Sequence, residues 1–328
     1  MPPRRLTPHP DPDTTGKAVL DVLSGISATA AARRHGLEPA HLTDATALFV
    51  QAGHDALQHA ATTWWQVYLH YPDWATAQTT FTTHVLPALH AAQTVGAADG
   101  WWYTRKHPCW RLRIALHPDH PATQELRNAL DRLAAHGHLT RWWTGIYESE
   151  TAAFGGPASM SAAHALFVAD SHEIHHPTRP ALPIGRRELS VLLCTTLMRA
   201  AGLEWYEQGD VWNGVITEEH RTAISGMPEN QLNAHAEDIR QLLLADCEPD
   251  GVLFQTDGPL AASAPWAAAF RETGHALAEA VQRGTLDRGL RRVLSLHVIF
   301  HWNRLGLSVS TQSALAWAAR TAILDRPQ

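Results

Sequence analysis

The order of apolar and polar positions changes character three times along the 328-residue chain. The opening "MPPRRLTPHPDPDTTG" holds proline, charge and threonine with little to bury, so residues 1–15 are expected to form a disordered tail. In "KAVLDVLSGISATAAARRHGLEPAHLTDATALFVQAGHDALQHA" apolar residues recur three and four apart. Breaks at Ser24-Gly25 and at Gly36 divide this stretch into three short helices, a small extension over residues 16–62. Ala31, Gly36, Leu37 and Leu42 fall where a helix-turn-helix needs small or apolar residues. The third helix offers almost no basic side chains to a DNA groove, so a helical docking module or cap is expected instead.

The pattern then alternates. "WWQVYLHYPDW" reads as a strand, "TAQTTFTTHVLPALHAAQTVG" as a helix, and "WWYTRKHPCWRLRIAL" as two strands about a proline turn. "PATQELRNALDRLAAHG" is a helix ended by Gly137, and "LTRWWTGIYE" is a further strand. This order predicts an α+β fold with a mixed β-sheet in ferredoxin-like strand and helix order. From Ser161 onward every long segment has helical periodicity, so residues 63–328 are expected to form one domain whose C-terminal half is mostly helical.

Composition narrows the function. With 45% hydrophobic and 18% charged residues and no apolar run long enough to cross a bilayer, the chain reads as globular, and no export signal opens it. A cytoplasmic protein without a membrane span is expected. A formal net charge of −6 is the wrong sign for a protein that binds a phosphate backbone directly. Cys109, Cys194 and Cys247 are scattered singly, which excludes a disulfide framework or a CxxC metal knuckle and predicts buried thiols. Thirteen tryptophans and 22 histidines exceed ordinary packing needs, and the tryptophans recur in pairs at Trp64-Trp65, Trp101-Trp102 and Trp142-Trp143. Such pairs either fill a core at strand starts or line a site for a large, partly apolar ligand such as a peptide.

Three stretches could carry chemistry. In "HPCWRLRI", strand alternation puts Trp110, Leu112 and Ile114 on one face and Arg111 and Arg113 on the other, about 7 Å apart. Two guanidiniums there suit a carboxylate or a developing enolate, or else a solvated sheet face. In "HVIFHWNRLGLS", helical spacing gathers His297, His301 and Arg304 on one side. A zinc site is disfavoured, because the zincin glutamate and a third ligand are absent. An imidazole beside a guanidinium suits a general base, while a satisfied core histidine is the plainer reading. "GIYESETAAFGGPASMSAAHALFVADS" combines Tyr147 and Glu148 with a Gly-Gly-Pro turn, without the rest of a phosphate loop or a nucleophile elbow. "HEIHH", His172 to His176, is expected in an exposed loop.

Together these blocks, with "RRELSVLLCTTLMRAAGLEWYEQGDVW" and in this order from about Trp64, resemble the C-terminal elimination domain of lantibiotic dehydratases, found also as free-standing thiopeptide-type biosynthesis proteins. The resemblance implies β-elimination of glutamate from glutamylated Ser or Thr of a ribosomally made precursor peptide. The product would be dehydroalanine or dehydrobutyrine. It also implies a leader-bearing precursor peptide as substrate and a separate tRNA-dependent glutamylating protein as partner. No cofactor and no metal are implied, and a homodimer is compatible with the sequence. Carried over by position, Arg111 and Arg113 match the family's strand motif, and His301 with Asn303 and Arg304 matches its histidine and Asn-Arg motif. The expected roles are His301 as base or proton shuttle, Arg111 or Arg113 as the holder of the leaving glutamate's carboxylates or the enolate oxygen, and Tyr147 as an aid to proton delivery. Arg304, Asn303, Glu148, Trp102, Trp110 and His297 are then substrate-contacting. One departure stands out: Ala153 precedes Phe154-Gly155-Gly156 where many dehydratases carry an arginine. It leaves a second enzymatic reading open, that of the thiopeptide pyridine synthases, which join two dehydroalanines by a formal [4+2] cycloaddition with loss of the leader. A non-catalytic peptide-binding scaffold is the third reading.

Overall fold

A computed structural model describes residues 11–61, 64–117, 119–176, 180–218 and 229–325. The chain divides into two compact units at residue 61. In the first, α1 (Pro12–Leu23), α2 (Ala28–His35) and α3 (Pro39–Ala61) follow the three-helix pattern. Helix α1 starts inside the stretch expected to be disordered. The Asp11 carboxylate accepts from the Thr14 backbone N–H, and Pro12 opens the helix where its missing N–H costs nothing, so a few local bonds override an unpromising composition. The remainder of the expected tail, residues 1–10, lies outside the described residues. Ala18, Val19, Ala31, Ala32 and Leu42 make the small core of this unit.

The second unit opens with β1 (Trp64–His70), followed by a helical run of α4 (Ala77–Thr80), a π-helical turn (Phe81–Val85) and α5 (Leu86–Thr94). Next come β2 (Ala98–Lys106), β3 (Cys109–Leu116), α6 (Ala122–Ala135) and β4 (Arg141–Gly145). The spatial order is β2-β3-β1-β4, the ferredoxin-like arrangement. The sheet expected to be mixed is antiparallel in all three pairings, because β3 turns back through a hairpin and slots between β2 and β1. The helical half then follows as α7 (Pro157–Ile174), α8 (Arg186–Ala200), α9 (Trp205–Thr217), α10 (Glu229–Leu244), α11 (Ala264–Gln282), α12 (Leu290–Leu305) and α13 (Val309–Leu324).

Period-two alternation gives the sheet two different faces. Val67, Leu69, Trp101, Tyr103, Trp110, Leu112 and Ile114 pack with Phe81, Val85, Leu89, Leu126 and Leu130 from the helices of the α4–α6 layer. On the opposite face Trp64 and Trp102 join the large core of the helical half, with Phe154, Phe167 and Trp302. The polar residues of that same face, farther along the strands, are left to line a cavity. The segment His172 to His176 departs from its expected loop: residues 172–174 finish α7, His172 stacks on Trp101 with ring centroids 4.6 Å apart, and His175 is buried. Its Nε2 meets the Tyr103 hydroxyl at 3.0 Å and its Nδ1 meets Thr82 Oγ1 at 2.9 Å, so local polarity is absorbed by long-range partners. All three cysteines are buried free thiols.

Candidate functional site

The cavity encloses about 490 Å³. Its wall is the polar part of the sheet face, and the pairing register explains which side chains meet there. Arg113 sits opposite Gln66 on β1 and Trp102 on β2; Arg111 sits opposite Tyr68 and Thr104. The Arg113 guanidinium therefore donates through Nε to Gln66 Oε1 at 3.0 Å and through Nη1 to Thr104 Oγ1 at 2.8 Å, while its carbon lies 4.4 Å over the Trp102 ring. Such bonds fix a charged side chain that is almost fully enclosed. Burial lowers its pKa to about 10, so it remains a cation at neutral pH. Arg111 is more open and lies 5.8 Å over Tyr68. Tyr68 in turn stacks on Trp143, centroids 5.1 Å apart, in the space above Gly145, where a Cβ would come within 2.5 Å of the Tyr68 ring.

The loop after β4 forms the second wall, with Ile146, Tyr147, Glu148 and Glu150 lining the cavity. The Tyr147 ring lies 5.5 Å from the Arg113 guanidinium carbon, and its hydroxyl is 2.7 Å from Nε2 of His164 on α7. Burial outweighs the attraction of Arg113 and pushes the phenol pKa above its ordinary value. His164 is 6% exposed and lies against Trp64 and Trp102, with centroids 5.2 and 6.0 Å away. Two left-handed glycines, Gly155 at φ 85° and Gly156 at φ 111°, bend the chain from this loop into α7. The Gly155 carbonyl accepts from the Asp287 N–H at 2.9 Å, which ties the turn to the segment before α12.

The floor is aromatic with one thioether: Phe154, Met160, Phe167 and Phe300, with Phe167 and Phe300 stacked at 5.2 Å. Arg105, Lys106, His107, Asn303 and Val309 close the remaining side. Four cationic side chains (Arg105, Lys106, Arg111, Arg113) thus share the cavity with two carboxylates (Glu148, Glu150). The arrangement can hold a ligand bearing both signs of charge, stabilise a developing anion beside Arg113, and exchange a proton at the Tyr147 oxygen.

Of the residues singled out from sequence, Arg111, Arg113, Tyr147, Glu148, Asn303 and Trp102 come together here. Trp110 does not. It points to the other face of the sheet, packed on Phe81, Tyr71 and Tyr103 at 5.2, 5.5 and 4.8 Å, as its odd spacing from the arginines requires. His297, His301 and Arg304 do share one side of α12, yet that side is turned into the core and all three are fully buried. They are absent from the cavity lining. Arg304 lies 4.4 Å from the Phe167 ring, which itself faces the cavity. Nδ1 of His301 is 2.9 Å from Asp170 Oδ1, and Arg304 Nε donates to Asp170 Oδ2 at 2.6 Å. Trp266 Nε1 donates to Oδ1 at 2.9 Å. Burial would raise the Asp170 pKa, but His301 and Arg304 outweigh it and hold the carboxyl below its ordinary value. His297 lies edge-on to Phe154 at 5.1 Å, and burial, reinforced by Arg304, lowers its pKa to about 3.

Sequence reasoning assigned no role to Asp170, His164, Gln66, Tyr68 or Thr104. The signal for Asp170 was a lone acid inside the apolar run "HALFVADS", and for His164 the imidazole opening that run. Among the described residues no group of three or more His, Cys, Asp or Glu side chains could hold a metal ion.

A profile of the family described as lantibiotic biosynthesis dehydratase C-term matches residues 64–323. The fold is similar to that of MibB from Microbispora sp. 107891, described as a tRNA dependent lantibiotic dehydratase, with a TM-score of 0.58 and 21% identity over 81% of this chain. The chain spans 28% of the MibB chain. TsrL is similar with a TM-score of 0.56 and 20% identity, over 80% of this chain and 95% of TsrL. No curated protein sequence matches.

Proposed function

The chain belongs to the lantibiotic biosynthesis dehydratase C-terminal family, and from that premise we propose that it eliminates glutamate from glutamylated Ser or Thr of a ribosomally made precursor peptide, a lyase reaction. The observation that carries this reading is the pair Arg111 and Arg113 on one cavity wall, with the Arg113 guanidinium beside the Tyr147 ring. A glutamyl group delivered from tRNA is joined through its α-carboxyl, so the ester presents a free ammonium and a free γ-carboxylate. The cavity has carboxylates for the first and guanidiniums for the second. Loss of the α-proton builds negative charge on the peptide carbonyl, and cleavage of the Cβ–O bond releases a second carboxylate. A preorganised guanidinium in an enclosed site is worth most at these two points.

His301 has a different part here from the proton-moving one expected from sequence. With Asp170 and Arg304 it lies behind the Phe167 and Phe300 floor and positions it. The glutamylating step falls to a separate protein acting on the same leader-bearing peptide. A cytoplasmic location suits that arrangement; no described helix is long and apolar enough to cross a membrane.

The test is mass spectrometry of a glutamylated precursor peptide incubated with the protein alone. Loss of glutamate with formation of a dehydro residue supports elimination, and an unchanged peptide rejects it. Ala153, with its carbonyl held by Arg288 Nη1 at 3.3 Å, and the apolar floor favour the second reading, cycloaddition of two dehydroalanines, because neither grips a glutamate. A peptide carrying two pre-formed dehydroalanines would lose its leader only under that reading.

A further inference from the structure

Elimination needs an acceptor for the α-proton, and the histidine that motif position suggests is sealed behind the floor. We propose that His164 takes this proton through Tyr147, an inference that rests on the elimination reading. Tyr147 lines the cavity, and its hydroxyl and the His164 Nε2 are 2.7 Å apart. His164 itself is enclosed and does not line the cavity, so it reaches the substrate only by way of the phenol.

A neutral buried phenol is a poor base by itself. It can accept a proton only while surrendering its own, and the imidazole nitrogen lies where that proton would go. Arg113, with its guanidinium carbon 5.5 Å from the Tyr147 ring, brings the enolate-stabilising cation to the same place. The step balances as follows. The Cα–H bond breaks and its electron pair becomes the Cα=Cβ double bond, while the Cβ–O pair departs with the glutamate α-carboxylate. The α-proton joins the Tyr147 oxygen as the Tyr147 proton passes to His164 Nε2, leaving an imidazolium. The indole of Trp64, 5.2 Å from the imidazole, favours that cation, which returns its proton to water through Tyr147 after the product leaves.

This assignment makes His164 a positioning residue and proton acceptor behind the catalytic Tyr147. It requires that in the resting protein Nδ1 of His164 carries the proton and Nε2 accepts from Tyr147. Nitrogen-15 spectra of the imidazole near neutral pH read this without substrate. An unprotonated Nε2 that shifts in Tyr147→Phe is expected; a protonated Nε2 overturns the proposal. In single-turnover assays His164→Ala should slow glutamate loss by about 100-fold or more. Added imidazoles should restore the rate in step with their basicity, and Tyr147→Phe on the His164→Ala background should abolish the rescue. A His164→Ala protein as fast as the wild type, or slow but insensitive to imidazoles of any basicity, overturns the proposal. His164→Asn serves if the alanine variant does not fold. A wild-type protein that leaves the glutamylated peptide intact instead overturns the elimination reading, and this inference with it.

Discussion

Arg111 and Arg113 differ in ways that separate their effects. Arg113 is built into the sheet by bonds to Gln66 and Thr104, whereas Arg111 is held mainly by Tyr68. Arg111→Ala should therefore change unfolding free energy by no more than about 0.5 kcal/mol in urea titration. Under the proposed function it should slow elimination by about 100-fold. Asp170 is the opposite case. Replacing it by asparagine leaves Arg304 buried without its counter-charge, and about 3–5 kcal/mol of stability should be lost, measured by the same titration. The sidedness of the two arginines was legible because strand alternation is a local rule, and the same rule placed Trp110 on the other face. The fate of His301 was not legible. Its partner Asp170 lies 131 residues away, and nothing local tells an imidazole facing a cavity from one facing a buried carboxylate.

At the scale of elements, the glycines set the cavity's shape. Gly156 holds φ 111°, and a Cβ there would come within 2.8 Å of Asp287 Oδ2. Gly156→Ala should cost about 1–3 kcal/mol, visible as a lower midpoint of thermal unfolding, through a turn that no longer delivers α7 beside Tyr147. Gly145 has ordinary backbone geometry but lies under Tyr68, so Gly145→Ala should break the stack on Trp143 and be read as a change in tryptophan emission. Element identity and order were largely readable from periodicity. Beyond the pairing direction of the sheet, the failures were at ends, where a few bonds decide: Asp11 starts α1 early, and His172 to His175 join a helix and its buried cap because Trp101, Tyr103 and Thr82 receive them.

Across the whole molecule, buried imidazoles tie stability to pH. His172 is lowered to about 4, by burial and by His90, and His175 and His297 to about 3, chiefly by burial. Between these values and the ordinary 6.5 the unfolded chain binds more protons than the folded one. The stabilisation is therefore complete above pH 6.5 and is lost as pH falls toward the folded values; Asp170 adds a further loss at still lower pH. Urea midpoints should drop from pH 7 to pH 5, and His297→Leu, which removes one such proton, should flatten the dependence.

The Asp170 carboxylate, seated on α7, is grasped by Trp266 of α11 and by His301 and Arg304 of α12. Helix α7 and the two consecutive helices α11 and α12, far from it in sequence, therefore share one latch. Neither α7 nor α12 can swing away without stranding a charge, and α11 would give up its indole bond to the same carboxylate, so their amide protons should exchange with solvent in a single cooperative opening rather than helix by helix. The floor of the cavity, built on α7 and α12, would then yield only when the molecule as a whole lets go.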